Sequence, residues 1–283
     1  MNAEGTSTAG ATPATVTTIA GSDSGGGAGI QADLHAFAAH GVHGTSVVTA
    51  LTAQNTRGVT KAEPAGTAMV AAQLDAVLAD FDVRAVKTGM LADLDTLALV
   101  AEQARKGRLP NLVVDPVMVT TSGDSLFEGD PKQYLHAFAD SPTVITPNVI
   151  EAQQLSGTVI RDLADARHAA ETIARSGPRA VLVKGGHLGP RSTSDLLYVD
   201  GRAFTFAAEH VDTANTHGTG CTLAAAIAAN LALGLDLVQA IDHAKRYLTR
   251  ALKAAAGQRL GSGPGPVLHS VPVHSAPEFA TDA

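Results

Sequence analysis

The stretch Asn215-Thr216-His217-Gly218-Thr219-Gly220-Cys221-Thr222 is the most informative part of the sequence. Two glycines precede the only cysteine of the chain, and a long alanine-rich run follows it. This pattern is typical of a loop that leads into the N-terminus of a helix. The unpaired N–H groups and the positive dipole end of a helix favour anions at such a place. Cys221 lies on the same turn and could accept a proton, so the stretch predicts a protein that binds and transfers phosphate.

The helix N-terminus should also favour the thiolate form of Cys221, which would make this side chain a candidate base. The alternative is a small buried cysteine that begins a core helix, the commoner role of a lone cysteine. The flanking glycines favour the functional interpretation. The candidate catalytic residues are therefore Gly218, Thr219, Gly220 and Cys221.

Composition limits the class of protein. The chain has 283 residues, of which 45% are hydrophobic and 17% charged, which is typical of a folded domain rather than a disordered one. A net charge of −7 and the absence of tryptophan argue against a nucleic-acid partner or an acidic membrane surface. The sequence has no uninterrupted run of about 18 apolar residues, so it predicts no membrane-spanning helix. With one cysteine and no basic residue before Arg57, we expect no signal peptide, no internal disulfide and a cytoplasmic location.

Short β-branched runs alternate with alanine-rich helical patterns along the chain. The predicted strands are Ala14–Ala20, Thr45–Ala50, Arg84–Lys87, Leu112–Val114, Val144–Thr146, Ala180–Lys184, Asp195–Val199 and Ala203–Phe206. The predicted helices are Ile30–His40, Thr67–Asp80, Leu94–Lys106, Asn148–Ser156, Leu163–Ser176, Thr222–Leu233 and Leu237–Ala256. This alternation predicts an α/β fold with a mostly parallel sheet, and Asp200-Gly201 predicts one antiparallel hairpin. We expect one domain over residues 14–274, with flexible tails at 1–13 and 275–283.

Unusual polar and glycine-rich segments follow the predicted strands. They are Gly21-Ser22-Asp23, Gln54-Asn55-Thr56, Thr88-Gly89-Met90, Asp115-Pro116-Val117-Met118, Pro147-Asn148 and Gly185-Gly186-His187. Ligands of open parallel sheets bind outside the carboxyl ends of the strands. These segments are therefore expected to meet in one cleft.

The glycine-rich run from Gly21 to Ile30 resembles a nucleotide loop but matches neither common motif. Gly27-Ala28 stand where a P-loop needs lysine and serine or threonine, and Ile30 replaces the last glycine of a dinucleotide fingerprint. One interpretation is a tight turn that lets the next helix pack closely on the sheet. The other is a backbone cradle for a small substrate, with Asp23 as a polar contact.

Three charged residues could bind a nucleotide and its metal. Lys184 ends an apolar strand before two glycines, which suits close approach to phosphates, although it could also be an ordinary edge lysine. Glu151 lies in a first helical turn and could hold Mg²⁺ through water or simply complement the helix dipole. Asp115, at a strand end, is the second candidate metal ligand. None of the eleven histidines has zinc-site spacing, and only His217 is notable, because of its position.

Taken together, these motifs resemble those of the hydroxymethylpyrimidine/phosphomethylpyrimidine kinases of thiamine biosynthesis, which belong to the ribokinase-like superfamily. The resemblance runs from about Thr15 to His269. The matching motifs are Ala20–Asp23, Gly26–Asp33, Ala53–Thr56, Lys87–Leu91, Asp115–Met118, Thr146–Asn148 with Glu151-Ala152, Lys184–His187 and His217–Thr222. Their number and order make the resemblance specific.

The resemblance implies a three-layer α/β/α sandwich, ATP with Mg²⁺, and a homodimer. It implies two phosphorylations, of 4-amino-5-hydroxymethyl-2-methylpyrimidine and then of its monophosphate. By motif match, the pyrimidine would contact Gly21, Asp23, Gln54 and Met90, and the nucleotide would contact Lys184, Asn148 and Thr219. Glu151 and Asp115 would organise the metal ion, and the turn from Gly218 to Cys221 would form the anion hole.

The sequence departs from the family pattern in two places. Thr120-Thr121-Ser122-Gly123 replaces an Ala-Lys-Ser-Gly segment of many relatives, so a lysine that could hold phosphate is missing. Pro264 replaces a frequent histidine. In addition, Cys221 stands where the wider superfamily usually has aspartate. The hypothesis is that Cys221 acts mainly through its position, while the anion hole and Mg²⁺ supply most of the acceleration.

Two other functions fit part of the same pattern. A pyridoxine or pyridoxal kinase shares the fold and phosphorylates a hydroxymethyl group on a pyridine. A non-catalytic pyrimidine-binding protein would keep the fold without turnover, but the Gly-Thr-Gly-Cys turn, Lys184 and Glu151 argue against it. A dehydrogenase is disfavoured by the broken glycine fingerprint.

Overall fold

The computed structural model describes residues 12–118, 129–139, 141, 144–186 and 192–273. Within them, the strands are β1 Thr15–Asp23, β2 His43–Asn55, β3 Gly58–Pro64, β4 Val83–Thr88, β5 Leu112–Val114, β6 Val144–Ile145, β7 Ala180–Val183, β8 Ser192–Val199 and β9 Arg202–Glu209. The helices are α1 Gly29–Ala39, α2 Thr67–Asp80, α3 Leu94–Arg105, α4 Lys132–Ala137, α5 Val149–Ser156, α6 Leu163–Ala174, α7 Thr219–Ala232 and α8 Leu237–Ala255. Residues 12 and 13 of the predicted N-terminal tail are described. The rest of that tail and the predicted C-terminal tail lie outside the described residues.

All described strands join one sheet in the order β3-β2-β1-β4-β5-β6-β7-β8-β9. The six strands from β2 to β7 are parallel, and β3, β8 and β9 run antiparallel to their neighbours. The predicted mostly parallel sheet is confirmed, and so is the hairpin at Asp200-Gly201. The chain moves outward from β1 in one direction to β2 and in the other to β4, which opens a crevice between β1 and β4.

Side chains of the sheet alternate between two separate cores. In β7, Val181 and Val183 belong to the core under the helices α2 to α6, whereas Ala180 and Leu182 face α1, α7 and α8. Burial on both faces explains why the central strands are short continuous apolar runs. The result is the expected three-layer α/β/α sandwich.

Helix α7 lies at the centre of its layer. It contacts α1, α8 and the strands β1, β4 and β5, and residues 222–230 are all buried. A helix enclosed on all sides has no polar face, which accounts for its alanine-rich sequence. Its N-terminus points to the carboxyl ends of the strands, so the fold holds this turn rigidly where ligands of parallel sheets bind.

Three predicted boundaries were wrong in ways that affect the site. Strand β1 continues to Asp23, so Gly21-Ser22-Asp23 lies on the strand and not after it. Helix α7 begins at Thr219 rather than Thr222, so the glycine turn is the first turn of the helix itself. Strand β2 continues to Asn55, so Gln54 lies on the strand and not after it. The strand β3 and the short helix α4 were not predicted, because β3 is mostly exposed and α4 has only six residues.

A C-terminal segment fastens α7 to α8 through His269. Its Nε2 lies 2.9 Å from Oγ1 of Thr222, and its carbonyl oxygen accepts a hydrogen bond from the Tyr247 hydroxyl. Because Thr222 donates its hydroxyl hydrogen to Gly218 O, Nε2 of His269 must be the donor to Thr222. Burial, helped by the neighbouring His35, lowers the pKa of His269 to about 4.

We predict that His269 makes the fold sensitive to acid. A lowered pKa favours the neutral ring in the folded state, so its contribution to stability is complete above about pH 6.5 and is lost as the pH falls through about 4. As the pH falls from 6.5 to 4, the free energy of unfolding should decrease in the wild type. This decrease should be steeper than in His269→Gln by up to about 1.4 kcal/mol per pH unit. Urea unfolding at several pH values measures this difference. His210→Gln, at an exposed histidine, is the control, and parallel curves for wild type and His269→Gln would contradict the prediction.

Candidate active site

The carboxylate of Asp23 organises the glycine loop after the first strand. Oδ1 accepts the N–H of Gly25 at 2.7 Å, and Oδ2 accepts the N–H groups of Gly27 at 3.0 Å and Ala28 at 2.8 Å. The side chain is only 2% exposed. Burial raises the pKa of this carboxyl group, but hydrogen bonds from His217, Gly25 and Ala28 outweigh it and hold the pKa below its usual value. Asp23 is therefore an anion that fixes the loop from inside.

His217 lies between this loop and Gln54 on strand β2. Its Nε2 lies 2.9 Å from Oδ2 of Asp23 and 3.4 Å from Nε2 of Gln54. Since Nε2 of His217 donates to Asp23, it cannot also accept from the Gln54 amide. The Thr52 hydroxyl lies 3.1 Å from the Gln54 oxygen, but its one hydrogen has a nearer acceptor in the Ser22 carbonyl at 2.8 Å, so both ends of the Gln54 amide can be offered to a ligand.

Gly21 and Met90 form a second part of the same region. A Cβ placed on Gly21 would lie 2.5 Å from Cε of Met90, so the methionine side chain covers the glycine directly. The Met90 carbonyl is held by the hydroxyl of Thr49 at 2.6 Å. The structure therefore places Gly21 beside Met90, and it places Asp23 and Gln54 near the same His217 ring nitrogen, at 2.9 Å and 3.4 Å. Asp23 itself is buried and used by the loop, so it does not offer the substrate contact predicted for it.

Glycines allow the loop and the turn before α7 to touch. Gly218 has φ +77°, and a Cβ on it would come within 1.8 Å of the Gly27 carbonyl oxygen. In the same way, a Cβ on Gly27 would lie 2.5 Å from the His217 ring. Both positions need glycine for steric reasons, and the resulting contact places the first turn of α7 over the loop.

Asp115 and Lys184 form the centre of a second cluster, at the ends of β5 and β7. Nζ of Lys184 lies 2.6 Å from Oδ1 of Asp115, which also accepts from the hydroxyl of Thr146 at 3.1 Å. Burial lowers the pKa of Lys184, but the carboxylates of Asp115 and Glu151 raise it above its usual value, so the side chain stays cationic. The lysine is 13% exposed and can reach a ligand in the crevice.

Glu151 and Asn148 cap helix α5 beside this pair. The Asn148 side chain accepts from the Glu151 N–H at 2.9 Å, and the Glu151 carboxylate accepts from the Asn148 N–H at 2.8 Å. Burial is the main reason why the pKa of Glu151 rises to about 7, with Asp115 adding to it and Lys184 opposing it. The dipole role and a ligand role are both compatible with this position.

The first turn of α7 joins the two clusters. A Cβ on Gly220 would lie 3.3 Å from Nζ of Lys184 and 3.7 Å from Oδ2 of Asp115, whereas His217, three residues earlier, contacts Asp23. Burial raises the pKa of the Cys221 thiol, although Lys87 opposes it. The expectation that the helix N-terminus favours the thiolate is therefore not met.

No role was predicted for Lys87 or Asp33, yet they form a buried ion pair behind the first turn of α7. Their Nζ–Oδ2 distance is 2.8 Å, both side chains are fully buried, and Thr18 also donates to Asp33. Burial lowers the pKa of Lys87, but Asp33, with Cys221 and Asp115, raises it above its usual value. The one sequence feature that could have indicated this pair is Lys87 itself, a charged residue within the largely apolar strand β4. The two charges of the pair act on Cys221 in opposite directions, since Lys87 lowers the pKa of the thiol and Asp33 raises it.

Some predicted positions cannot be assigned. His187 and the departure at Thr120–Gly123 lie outside the described residues. Among the described residues, no group of three or more histidine, cysteine, aspartate or glutamate side chains could hold a metal ion. No helix in the described part of the chain is long and apolar enough to cross a membrane.

The nine-stranded sheet, its switch point and the glycine turn at α7 define a ribokinase-like kinase. The family model of phosphomethylpyrimidine kinase matches residues 23–268. A hydroxymethylpyrimidine/phosphomethylpyrimidine kinase of Rhizobium meliloti is 50% identical over 254 residues, which cover 89% of this chain and 95% of the relative. The chain belongs to the phosphomethylpyrimidine kinase family.

Solved structures of two related kinases share the fold. The ADP complex of Bacillus subtilis pyridoxal kinase is 37% identical, with a TM-score of 0.82 over 91% of this chain and 98% of that one. The phosphomethylpyrimidine kinase of Clostridium difficile is 38% identical, with a TM-score of 0.73 over 85% of this chain and 100% of that one. The two structures show that one fold serves both named activities.

We predict that Gly218→Ala disrupts the site far more than its backbone angle alone requires. Gly234 has a similar left-handed φ of +90° but open space around it, so Gly234→Ala should cost only about 1–2 kcal/mol of stability and leave kinase activity unchanged. In Gly218→Ala, the added methyl must displace the Gly27 carbonyl, and turnover should fall by about 100-fold or more. Urea unfolding and steady-state kinetics of both variants test this. Equal activities for the two variants would contradict it.

Proposed function

We propose that this protein transfers the γ-phosphoryl group of ATP to the hydroxymethyl group of 4-amino-5-hydroxymethyl-2-methylpyrimidine. It then phosphorylates the resulting monophosphate to the diphosphate, as a kinase of thiamine biosynthesis. The observation that carries the proposal is the first turn of α7. It reaches the Asp23–His217–Gln54 group at one end and the Asp115–Lys184 pair at the other, so two substrates could meet across it.

The pyrimidine is assigned to the side of the crevice formed by Gln54, Gly21 and Met90. An amide offers a donor and an acceptor together, which suits the aminopyrimidine edge. The NH₂ group of Gln54 finds no acceptor in His217, and the Thr52 hydroxyl near its oxygen donates to the Ser22 carbonyl instead, so both ends of the amide are available to a ligand. Met90 supplies an apolar, adaptable surface for the ring.

The nucleotide phosphates are assigned to the other side. Nζ of Lys184 lies beside the first turn of α7, 3.3 Å from the place of a Cβ on Gly220. The N–H groups of Gly220 and Cys221 lie in this turn without a helical partner, whereas the N–H of Thr219 donates to the Thr216 carbonyl at 3.3 Å and would have to exchange that partner for a phosphate. In the transfer, the substrate hydroxyl oxygen bonds to the γ-phosphorus while the bond to the ADP oxygen breaks, and the hydroxyl proton, which a neutral Cys221 thiol does not accept, would pass to an oxygen of the transferred phosphoryl group. Charge on the transferred group would then be stabilised by these fixed donors rather than by covalent chemistry. Asn148, at the N-cap of α5, would contact the nucleotide beside Lys184.

Two buried carboxylates fit a magnesium ion bound together with the phosphates. Mg²⁺ is usually held by one or two carboxylates, substrate phosphates and waters. Oδ2 of Asp115 faces Gly220, since Oδ1 is the oxygen that binds Lys184 and Thr146. Glu151 lies beside it and would act through water. The bound ion would neutralise charge that develops between the β- and γ-phosphates.

A homodimer in the cytoplasm completes the proposal. Support for self-association comes from two large apolar side chains, Leu51 on β2 and Met69 on α2, which are 62% and 56% exposed. Support for the compartment comes from the single cysteine, Cys221, which cannot form an internal disulfide.

Pyridoxal phosphorylation is a second candidate activity. The specific observation in its favour is the higher TM-score with Bacillus subtilis pyridoxal kinase than with the Clostridium difficile enzyme, 0.82 against 0.73. The amide of Gln54 favours the pyrimidine, because a pyridine ring lacks the amino group that would pair with it. A comparison of kcat/KM for the pyrimidines and for pyridoxal therefore separates the two activities.

We predict that the purified protein with Mg²⁺ consumes ATP with the pyrimidine alcohol and with its monophosphate, each offered alone. Coupled measurement of ADP gives kcat/KM for each substrate and for pyridoxal. The kcat/KM for each pyrimidine should exceed that for pyridoxal by about tenfold or more, because pyridoxal lacks the hydrogen-bonding edge that Gln54 would recognise. Gln54→Leu should narrow this gap mainly by weakening the pyrimidines.

Lysine variants control for background turnover. Lys184→Met should abolish turnover, whereas Lys61→Met, at an exposed lysine of β3, should not change it. Turnover of pyridoxal alone would identify a vitamin B6 kinase. Stabilisation by the pyrimidine without ATP consumption would identify a binding protein.

We predict that Cys221→Ser retains turnover within about tenfold of the wild type, because a thiol with a raised pKa is a poor base and its place in the turn is kept by serine. Single-turnover rates with saturating ATP measure the effect. A loss of about 100-fold or more would mean that the thiolate accepts the proton.

A further inference from the structure

We infer that Asp195, on β8, is a positioning residue that sets the backbone at Lys184 and so orients this lysine toward the nucleotide. The inference rests on the proposed function, because it takes Lys184 as the phosphate contact. Asp195 does not touch the crevice. Its effect would pass through the neighbouring peptide.

The first observation is a hydrogen bond from the peptide next to Lys184. Strand β7 ends at Val183, paired with Leu196 of β8, so the chain leaves the ladder at Lys184. The next N–H, that of Gly185, donates to Oδ1 of Asp195 at 3.0 Å, and both groups are buried. The side chain of Asp195 therefore replaces the missing ladder partner two residues beyond the strand end.

Lys184 is fixed on its other side as well. Its own N–H donates to the carbonyl of Pro147 at 2.8 Å. Backbone anchors thus precede and follow the Cα atom from which this side chain leaves. An error at either anchor would change the direction of the Nζ group, which must lie between Asp115 and Gly220.

Lys245 holds Asp195 in place from the helical layer. Nζ of Lys245, on α8, lies 2.7 Å from Oδ2 of Asp195, and the two residues are 7% and 2% exposed. A buried ion pair rarely adds net stability compared with an apolar pair, because both charges lose their hydration. Its retention here is explained by the second oxygen of Asp195, which an apolar pair could not supply to Gly185.

The test compares two double variants that both remove the charges. Asp195→Leu/Lys245→Met replaces the pair with apolar side chains and leaves the Gly185 N–H without its acceptor. Asp195→Asn/Lys245→Gln keeps an oxygen for Gly185 and a neutral hydrogen-bonded pair. Glu209→Leu/Lys253→Met removes an exposed ion pair between the same helix and the next strand, and serves as the control for activity and stability.

In the apolar variant, kcat/KM for ATP should fall about tenfold or more while KM for the pyrimidine changes by less than about twofold. In the amide variant the fall in kcat/KM for ATP should be clearly smaller, and in the exposed-pair control kcat/KM for ATP should not change. Exchange of the Gly185 amide hydrogen, measured without substrates, should be faster in the apolar variant only. Thermal unfolding verifies that all variants are folded.

The outcomes separate this inference from the proposed function. Wild-type protein without turnover on any of the three substrates would overturn the proposed function, and the inference with it. Active wild type with an unchanged kcat/KM for ATP in the apolar variant would overturn the inference alone. An equal loss in both pair variants would also overturn it, since the Gly185 acceptor would then not be what matters.

Discussion

The carboxylate of Asp23 is the constraint on which the site depends. It accepts three backbone N–H groups of the glycine loop and the imidazole of His217, all at 3.0 Å or less. Hydrogen bonds to a charged group contribute about 1.5–3 kcal/mol each. This strength lets a loop rich in glycine keep one conformation. Because Gly218 then rests on the Gly27 carbonyl, the same carboxylate also locates the first turn of α7.

The fold followed from local patterns wherever burial decided the structure. Strand Leu112–Val114 and helix Thr67–Asp80 were predicted to the residue, since an apolar run between polar segments and a periodic alanine-rich segment leave few alternatives. Asp93 and Asp162 cap the helices that follow them, since Asp93 accepts the N–H of Thr96 and Asp162 accepts those of Ala164 and Asp165. Strand β3 was missed because Lys61-Ala62-Glu63 faces solvent and shows no apolar alternation.

The site could be predicted only as a set of strand ends. Parallel topology explains why Asp115 and Lys184 meet, because both follow neighbouring parts of one sheet edge. The partners Lys87–Asp33 and Asp195–Lys245 could not be predicted in this way. They join segments 54 and 50 residues apart, and no local pattern states which acid lies opposite which lysine. Likewise, the raised thiol pKa of Cys221 depends on how deeply the turn is enclosed, which the sequence of the turn does not show.

Helix α7 carries the glycine turn on one end and forms the buried centre of its layer along the rest of its length. Elements that carry ligand-binding groups are often of low local stability and open while the domain stays folded, so that activity is lost before the domain melts. Here the turn continues directly into residues 222–230, so the contacts that bury this helix in its layer also anchor the turn. Heat inactivation and global melting should accordingly be one cooperative event in this protein, with no inactive but folded state between them.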